Sequence, residues 1–196
     1  IDAKIAISKD YYTISKGSKW ITNFLSRRRV HLIRSEYDCI LSTSKSINKD
    51  NSLLNCRLNG FNINKPDLLI IDLKLKIKKN LSLFKNPRKR KIFIVTASSQ
   101  EKKISFFKKK GAKILSVNSL NTKTDFIAFF KILKKYGYNR VLIESGLIFL
   151  NTLIRNKLIS NLFIFQSSKK LGKLGINNST NKFIKKMNFK NKIKVN

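Results

Sequence analysis

Short apolar runs recur along the chain and predict buried β-strands. Each run is rich in Ile, Leu, Val and Phe, as in strands of a sheet that is covered on both faces. The predicted strands are Lys4 to Ser8, Cys39 to Leu41, Leu68 to Asp72, Lys91 to Thr96, Lys113 to Val117, Arg140 to Ile143 and Leu162 to Gln166.

Amphipathic helical patterns lie between many of these strands. Ser98 and Glu101 predict a capping box before a helix that carries Ile104 and Phe107. Gly111 stands where this helix is expected to end, because glycine tolerates the left-handed backbone of a helix C-terminus.

Further helices follow the same logic. Thr124 is the predicted cap of a helix that reaches Gly137, and its apolar positions follow i, i+3, i+4, i+7 spacing. These positions are Phe126, Phe129, Phe130 and Leu133. An earlier helix, Asn23 to Ser35, starts after Thr22 and is expected to turn Leu25, Leu32 and Ile33 inward.

The alternation of strands and helices predicts an α/β fold with a mostly parallel central sheet and helices on both faces. No internal repeat or linker divides the chain, so residues 1–196 are expected to form a single domain. Lys182 to Asn196 shows short apolar alternation, which predicts one or two edge strands or a frayed end.

The charge is strongly basic: 43 Lys and Arg against 10 Asp and Glu give a net charge of +33. A balance of this kind suggests a polyanionic partner such as nucleic acid. The lysines are scattered, however, and only Arg27 to Arg29, Pro87 to Lys91 and Lys108 to Lys110 are dense, as on solvated faces. We therefore expect attraction for phosphorylated small molecules and only nonspecific binding of nucleic acid.

Other classes of protein are disfavoured by what the sequence lacks. No apolar run is long enough to cross a bilayer, so we expect a soluble cytoplasmic protein without membrane contact. Cys39 and Cys56 lack metal-ligand spacing and His31 is the single histidine, so no metal site is expected and the cysteines are predicted to be buried free thiols. The chain opens at Ile1 and is strand-like almost at once, which suggests an upstream piece such as a removed signal or a neighbouring domain.

A candidate ligand site follows the predicted strand Arg140 to Ile143. Glu144, Ser145 and Gly146 lie at its carboxyl end, where open parallel sheets bind their ligands. The glycine allows close approach of the backbone, and the helix Leu147 to Asn156 would point free N–H groups at a phosphate. The alternative is structural: an acid placed to suit a helix dipole.

Several segments occur together in one order: KIAISKD (4–10), GSKWIT (17–22), VHLIRSEYDCIL (30–41), NKDNSLLNCR (48–57), DLLIID (67–72) and IESG (143–146). On these segments the chain resembles the reductase domain of bacterial riboflavin biosynthesis, a pyrimidine reductase usually fused behind a zinc-dependent deaminase. The likeness covers nearly the whole chain and fades after Gly172.

The resemblance implies a dihydrofolate-reductase-like three-layer fold and NADPH-dependent reduction of the ribosyl group of 5-amino-6-(5-phosphoribosylamino)uracil. It places substrate contacts at Lys4, Ser18, Arg34, Leu54, Arg57 and Glu144. It places NADPH contacts at Ala6, Trp20, Ser46, Asp50, Leu73, Gly146, Leu147, Ile148, Phe149, Leu150, Asn151 and Thr152. Lys4, Asp50 and Glu144 are then the ionisable groups expected nearest the reacting centre. A fused N-terminal deaminase domain and a homodimer are the expected partners; the H-x-E and P-C-x-x-C of a deaminase are absent from this chain.

Each of these residues also has a structural explanation. Arg34 and Arg57 suit a sugar phosphate as planar forks, or are surface cations. Trp20 packs on a cofactor or in the core, and Asp50 binds a ligand or caps a turn. Lys4 inside an apolar strand faces a ligand or extends to the sheet edge. His31 is interpreted as packing, or as polarity beside a phosphate.

The chain also departs from the family pattern. Tyr11 and Tyr12 follow Asp10 where the family has a glycine, and Leu73 replaces a frequent serine near the adenosine phosphate, where Lys74 or Lys76 could compensate. Two alternatives therefore stay open: an inactive reductase-like domain that supports a fused partner, with the tyrosines filling the nicotinamide pocket, or a nonenzymatic RNA-binding protein with aromatic and basic residues interleaved on one face.

Overall fold

Seven parallel strands form the central sheet in the computed structural model, which describes residues 1–61, 66–85, 90–180 and 182–186. The described residues form nine strands, of which β2 and β9 lie outside this sheet: β1 (Asp2–Ile7), β2 (Ile14–Ser15), β3 (Cys39–Thr43), β4 (Asp67–Ile71), β5 (Ile92–Thr96), β6 (Ala112–Ser116), β7 (Val141–Ile143), β8 (Asn161–Gln166) and β9 (Gly175–Ile176). The helices are α1 (Phe24–Ser35), α2 (Ser44–Asp50), α3 (Glu101–Lys109), α4 (Lys123–Lys135), α5 (Leu147–Arg155) and α6 (Lys182–Lys186), with short 3₁₀ turns at Ser82–Phe84 and Gly172–Leu174.

The sheet has the strand order β6-β5-β4-β3-β7-β1-β8, and all neighbours in it pair in parallel. The predicted α/β fold is thus confirmed, and each predicted strand overlaps an observed one. Because all seven strands run the same way, their carboxyl ends meet at one edge of the sheet, with β3, β7 and β1 side by side.

Two apolar clusters cover the two faces of this sheet. Successive strand residues point to opposite faces, so Leu41 belongs to one cluster and Ile40 to the other. The first cluster includes Phe126 and Phe129 of α4 and apolar residues of α5; the second includes Ile33 of α1 and Phe107 of α3. The result is a sheet between two helical layers, in which Cys39 and Cys56 are buried free thiols as predicted.

Helix ends and faces correct several sequence predictions. Ser98 does not cap α3, because its hydroxyl accepts from the N–H of Gln100 at 3.3 Å, ahead of the helix. Leu25 is 38% exposed, since Val30 and Ile33 form the buried face of α1. Residues Lys182–Lys186 are helical rather than extended, and the remainder of the predicted C-terminal strands, 187–196, lies outside the described residues.

A small antiparallel pair, β2 with β9, lies apart from the central sheet. The Tyr12 ring packs so tightly on Gly175 that a Cβ there would come within 2.2 Å of its Cδ2 atom. Asn177 adds to the contact by accepting from the backbone N–H of Thr13 at 2.9 Å. The pair therefore fixes the segment that leads from β1 to α1 along the cleft described below.

The N-terminus of α4 is capped by Thr122, not by Thr124 as predicted. Thr122 Oγ1 accepts from the N–H of Asp125 at 3.2 Å, and the Asp125 carboxylate accepts in return from the N–H of Thr122 at 3.2 Å. This reciprocal pair satisfies two N–H groups that the helix itself cannot.

We expect Thr122→Ala to lower the free energy of unfolding by about 1 kcal/mol, because it removes the cap. Thr124→Ala is the matched control and should change stability by less than half as much. Urea titrations with an unchanged m value measure both. Equal losses in the two variants would show that Thr122 is not the cap.

Candidate functional site

A cleft of about 1720 Å³ opens at the carboxyl ends of the central strands. Most residues that the resemblance pointed to line it: Lys4, Ala6, Ser18, Trp20, Arg34, Ser46, Asp50, Leu54, Arg57, Glu144, Gly146, Leu147, Ile148, Phe149 and Thr152. They come from segments far apart in sequence, so the fold itself brings them together. The volume is large enough for two ligands side by side.

A largely buried cluster of one acidic and two basic side chains lies in the cleft. Arg34 Nε donates to Glu144 Oε1 at 2.6 Å, and its Nη2 donates to Oε2 at 2.9 Å, which is a bidentate pair. Lys4 Nζ lies 3.8 Å from Glu144 Oε2. The side chains are only 16%, 11% and 7% exposed for Lys4, Arg34 and Glu144, so these charges interact with little screening by water.

Glu144 owes its place to the strand that precedes it. Its N–H donates to the carbonyl of Leu41 in β3 at 3.0 Å, and its own carbonyl accepts from Ser42 Oγ at 2.6 Å. The backbone is therefore still held like a strand at the point where β7 ends. Arg34, near the end of α1, reaches the carboxylate from the helix that covers this edge.

Burial and neighbouring charge act in opposite directions on these groups. Burial alone would raise the pKa of Glu144, but the charge and hydrogen bonds of Arg34, together with the Lys4 charge, bring the pKa below its usual value. Burial also lowers the pKa of Lys4, and Arg34 lowers it further, whereas Glu144 opposes the change. The site thus holds a firmly ionised acid beside an ammonium that releases its proton more readily than a lysine in water.

A second arginine reaches the same cleft through a short polar network. Arg57 Nη1 donates to Asn55 Oδ1 at 3.1 Å, and its Nη2 lies 3.4 Å from His31 Nε2. The Asn55 carbonyl accepts from Arg34 Nη1 at 3.1 Å and lies 2.9 Å from His31 Nδ1. Arg57 is exposed, whereas the Arg34 side chain, paired with Glu144, is only 11% exposed.

The N-terminus of α5 borders the cleft on another side. Gly146 is its N-cap residue, and no side chain of the described residues caps the helix. The Gly146 N–H donates to Ser46 Oγ at 3.2 Å, which joins α5 to α2. Uncapped N–H groups at a helix start favour an anion.

Three of the predicted cofactor residues, Leu73, Leu150 and Asn151, do not line the cleft. Leu150 is buried in the core, and Asn151 donates from Nδ2 to Ser179 Oγ at 2.9 Å. Only one face of a helix can meet a ligand, because the period is about 3.6 residues. Leu73 follows β4, and its carbonyl accepts from the Ala97 N–H at 3.2 Å, away from the cleft.

Several structural alternatives from the sequence are wrong. Trp20 is not a core residue, because its side chain is 54% exposed and the Arg27 guanidinium lies 4.9 Å from the ring centroid. The turn after α2 is held by Asn51, whose Oδ1 accepts from the Ser82 N–H at 2.9 Å, rather than by Asp50. Tyr11 and Tyr12 are not among the residues that line the cleft.

Asn55 and Arg90 contribute to the site, although no sequence pattern predicts a role for either residue. Arg90 belongs to a basic run that was interpreted as a solvated face, yet its guanidinium donates to backbone carbonyls of Leu53, Leu54 and Pro66. It thereby holds the loop before Arg57, in which Leu54 has a left-handed φ of 48°. No spacing pattern marks a side chain that binds carbonyls, so the sequence carried no signal for this role.

The part of the chain that the structure describes contains neither a membrane-spanning helix nor a metal-binding cluster. None of its helices combines the length and apolarity that crossing a membrane requires. Its His, Cys, Asp and Glu residues include no group of three or more placed to hold a metal ion.

Comparison with known proteins identifies the family. The family model described as RibD C-terminal domain matches residues 1–193. A riboflavin biosynthesis protein RibD of Buchnera aphidicola subsp. Baizongia pistaciae is 31% identical over 187 aligned positions, and the match covers 88% of this chain and 49% of that protein. The chain thus spans about half the length of that relative. A 5-amino-6-(5-phosphoribosylamino)uracil reductase of Buchnera aphidicola subsp. Acyrthosiphon pisum is 30% identical over 79% of this chain and 77% of its own length.

Solved structures agree on the fold. RibD of Acinetobacter baumannii superposes with a TM-score of 0.73 at 20% identity, over 95% of this chain and 51% of that one. The Saccharomyces riboflavin biosynthesis reductase Rib7 superposes with a TM-score of 0.67 at 24% identity, over 92% of this chain and 78% of that one. The dihydrofolate-reductase-like fold that the resemblance implied is confirmed. With its parallel sheet, its cleft and a family match from Ile1 nearly to its last residue, the chain belongs to the RibD C-terminal domain family.

Proposed function

We propose that this chain is the NADPH-dependent reductase that converts the ribosyl group of 5-amino-6-(5-phosphoribosylamino)uracil to the ribityl product. One observation carries the proposal: a buried Glu144, paired with Arg34 and Lys4, shares a single cleft with an uncapped helix N-terminus. The first arrangement suits a polar, phosphorylated substrate, and the second suits a dinucleotide. The similarity to the Buchnera 5-amino-6-(5-phosphoribosylamino)uracil reductase, which covers 77% of that protein, supports this assignment.

The residues of the cleft fit a nicotinamide dinucleotide. Of the described residues, a Cβ on Gly146 would meet only Ser46, whose Oγ would be 3.7 Å away, so the described fold does not demand glycine there. Its φ of −72° is open to any residue, so close approach of a ligand is the remaining reason for its absent side chain. When bound, the cofactor supplies a hydride. In our proposal Gly146 and the first turn of α5 hold its pyrophosphate, with Ser46 and Trp20 beside it.

Preference for NADPH over NADH is proposed to come from lysines other than those expected. Lys74 and Lys76 do not line the cleft, whereas Lys45 and Lys49 of α2 do. Both are exposed, and a flexible ammonium suits a phosphate as a point charge. We assign the attraction for a 2′-phosphate to this pair.

The two arginines have different roles in this proposal. Arg34 donates from Nε and Nη2 to the Glu144 carboxylate and from Nη1 to the Asn55 carbonyl, so it orients the acid. Arg57 uses only part of its five N–H groups in the contacts with Asn55 and His31, and it is the residue that binds the substrate phosphate. Glu144 accepts from hydroxyl or amino groups of the substrate, next to Leu54 and Ser18 on the cleft wall.

Lys4 is the proposed proton donor. Reduction at C1′ of the open-chain imine leaves the substrate nitrogen needing a proton. Lys4 Nζ is buried next to Glu144, and its lowered pKa eases proton release. Asp50 lines the cleft further along, at the end of α2. Holding the two reactants in contact contributes most of the remaining rate, about 7 to 11 kcal/mol in favourable cases.

One surface feature favours a second function, nonspecific binding of single-stranded RNA. Lys19 and Arg27 lie 5.4 and 4.9 Å from the Trp20 ring, and Arg28 lies 5.9 Å from the exposed Phe24 ring. This is the interleaving that such binding requires, though only in one patch. All five residues line the same cleft, so NADPH should displace an oligonucleotide if this patch is part of the cofactor site.

Steady-state kinetics should separate the roles of Lys4 and Arg57. Lys4→Met should lower kcat about 100-fold, because the proton transfer is lost, and should change KM less than Arg57→Ala does. Arg57→Ala should raise KM for the substrate about 10-fold or more, because a charged hydrogen bond to phosphate is lost. NADPH oxidation in the presence of the deaminated aminopyrimidine measures both, and unchanged kinetics in both variants would refute the assignments.

Gly146→Ala tests the cofactor site without the substrate. The variant should keep the thermal midpoint of the unliganded protein, because the added Cβ would lie in ordinary van der Waals contact with Ser46 Oγ, at 3.7 Å. It should lose most of the stabilisation that saturating NADPH gives, because the methyl group occupies space that the pyrophosphate needs. Thermal unfolding with and without NADPH at high salt is the measurement. Full retention of the stabilisation would place the cofactor elsewhere.

A further inference from the structure

His31 is a polar side chain of the cleft wall to which the proposed function assigns no role. It lies on α1, one turn before Arg34, so its ring lies on the same side of the helix. Its Nδ1 lies 2.9 Å from the carbonyl of Asn55, and its Nε2 lies 3.4 Å from Nη2 of Arg57. The ring thus stands between a backbone carbonyl and a guanidinium.

These two neighbours fix the protonation state of the ring. A carbonyl oxygen can only accept, so Nδ1 must carry a hydrogen. A guanidinium can only donate, so Nε2 must offer a lone pair. The geometry therefore requires neutral histidine in its Nδ1–H tautomer. In agreement, burial, followed by the charges of Arg34 and Arg57, lowers the pKa of His31 to about 4.

The loop that carries Arg57 is held on two sides by backbone contacts. Arg90 donates to the carbonyls of Leu53 and Leu54, and Arg34 and His31 both reach the carbonyl of Asn55. The Arg57 side chain itself is exposed and would otherwise be free to rotate. Among the residues that the structure describes, its guanidinium is held by two contacts, Asn55 Oδ1 and His31 Nε2.

We propose that His31 is a positioning residue which, as a neutral hydrogen-bond acceptor, aims the Arg57 guanidinium at the phosphate monoester of the substrate. An arginine has five N–H groups, and these two contacts use one each from Nη1 and Nη2, so the others stay available for phosphate. A preset guanidinium loses less side-chain entropy on binding. The inference rests on the proposed function only in that a phosphate occupies this part of the cleft.

Three substitutions of His31 in the full chain distinguish the hydrogen bond that Nε2 accepts from Arg57 from the one that Nδ1 donates to Asn55. His31→Gln can place its amide oxygen near the position of Nε2 and still accept from Arg57. His31→Asn can place its amide nitrogen near Nδ1 and donate to Asn55, but it cannot reach Arg57. His31→Phe keeps the ring and loses both contacts. The probes are ribose 5-phosphate and, as the phosphate-free control, ribose, with binding measured by calorimetry at fixed salt.

We expect His31→Phe and His31→Asn to weaken ribose 5-phosphate about 10-fold, and His31→Gln to stay within about 2-fold of the unmodified chain. In an Arg57→Ala background, the same His31 changes should have almost no further effect, because the acceptor has lost its donor. Equal losses in the Gln and Asn variants, or full additivity with Arg57→Ala, would overturn the proposal and leave His31 a packing residue. If His31→Phe fails to fold, the Gln and Asn pair decides.

NMR supplies a readout that a packing role would not produce. His31 is the single histidine of the chain, so its ring signals need no assignment. Long-range ¹H–¹⁵N correlations should show the Nδ1–H tautomer at pH 7 and a pKa near 4. An Nε2–H tautomer, or a pKa near the usual 6.5, would contradict the proposed contacts.

The test also separates this inference from the proposed function. Binding of ribose 5-phosphate requires no reduction, so a His31-dependent affinity would support the inference even in a chain that oxidises no NADPH. A chain that reduces the pyrimidine substrate but binds ribose 5-phosphate equally well with and without Arg57 would keep the reductase function and overturn the inference.

Discussion

The buried ion cluster of Lys4, Arg34 and Glu144 is the interaction on which the site depends. Moving a charge out of water costs several kcal/mol, and the cost is met only where geometry and hydrogen bonds are good. Here the bidentate contact of Arg34 with Glu144 meets this demand. Two cations against one anion leave the cluster with a net positive charge, which favours the approach of a phosphorylated ligand.

The sheet explains why this cluster exists at all. Lys4 comes from β1 and Glu144 from the end of β7, and these strands are parallel neighbours in the sheet. The parallel pairing therefore brings the Glu144 carboxylate next to Lys4, although the two residues are far apart in the sequence. α1 completes the cluster from the layer above, and the preceding turn of this helix carries His31 towards the loop of Asn55 and Arg57. One face of one helix thus links the acid to the exposed arginine.

Much of this arrangement was predictable from sequence, for identifiable reasons. The apolar runs marked all seven sheet strands, and the position of Glu144 after a strand marked the cleft edge. Helix caps were less predictable, since Thr122 and Thr124 are chemically equal and only the backbone decides between them. The different roles of Arg34 and Arg57 could not be predicted, because they depend on which of the two guanidinium groups the fold places next to Glu144. Arg90 was mistaken for a solvated cation because its partners are backbone carbonyls, which leave no trace in side-chain patterns.

The central claim is that Arg34 serves Glu144 while Arg57 serves the substrate phosphate, next to a dinucleotide at the start of α5. A crystal structure of the chain with NADP⁺ and ribose 5-phosphate tests this most directly. The account predicts that the sugar phosphate contacts Arg57, that the pyrophosphate lies at Gly146, and that Arg34 keeps both hydrogen bonds to Glu144. A structure in which Arg34 leaves Glu144 to bind the phosphate, or in which the ligands occupy separate surfaces, would contradict it.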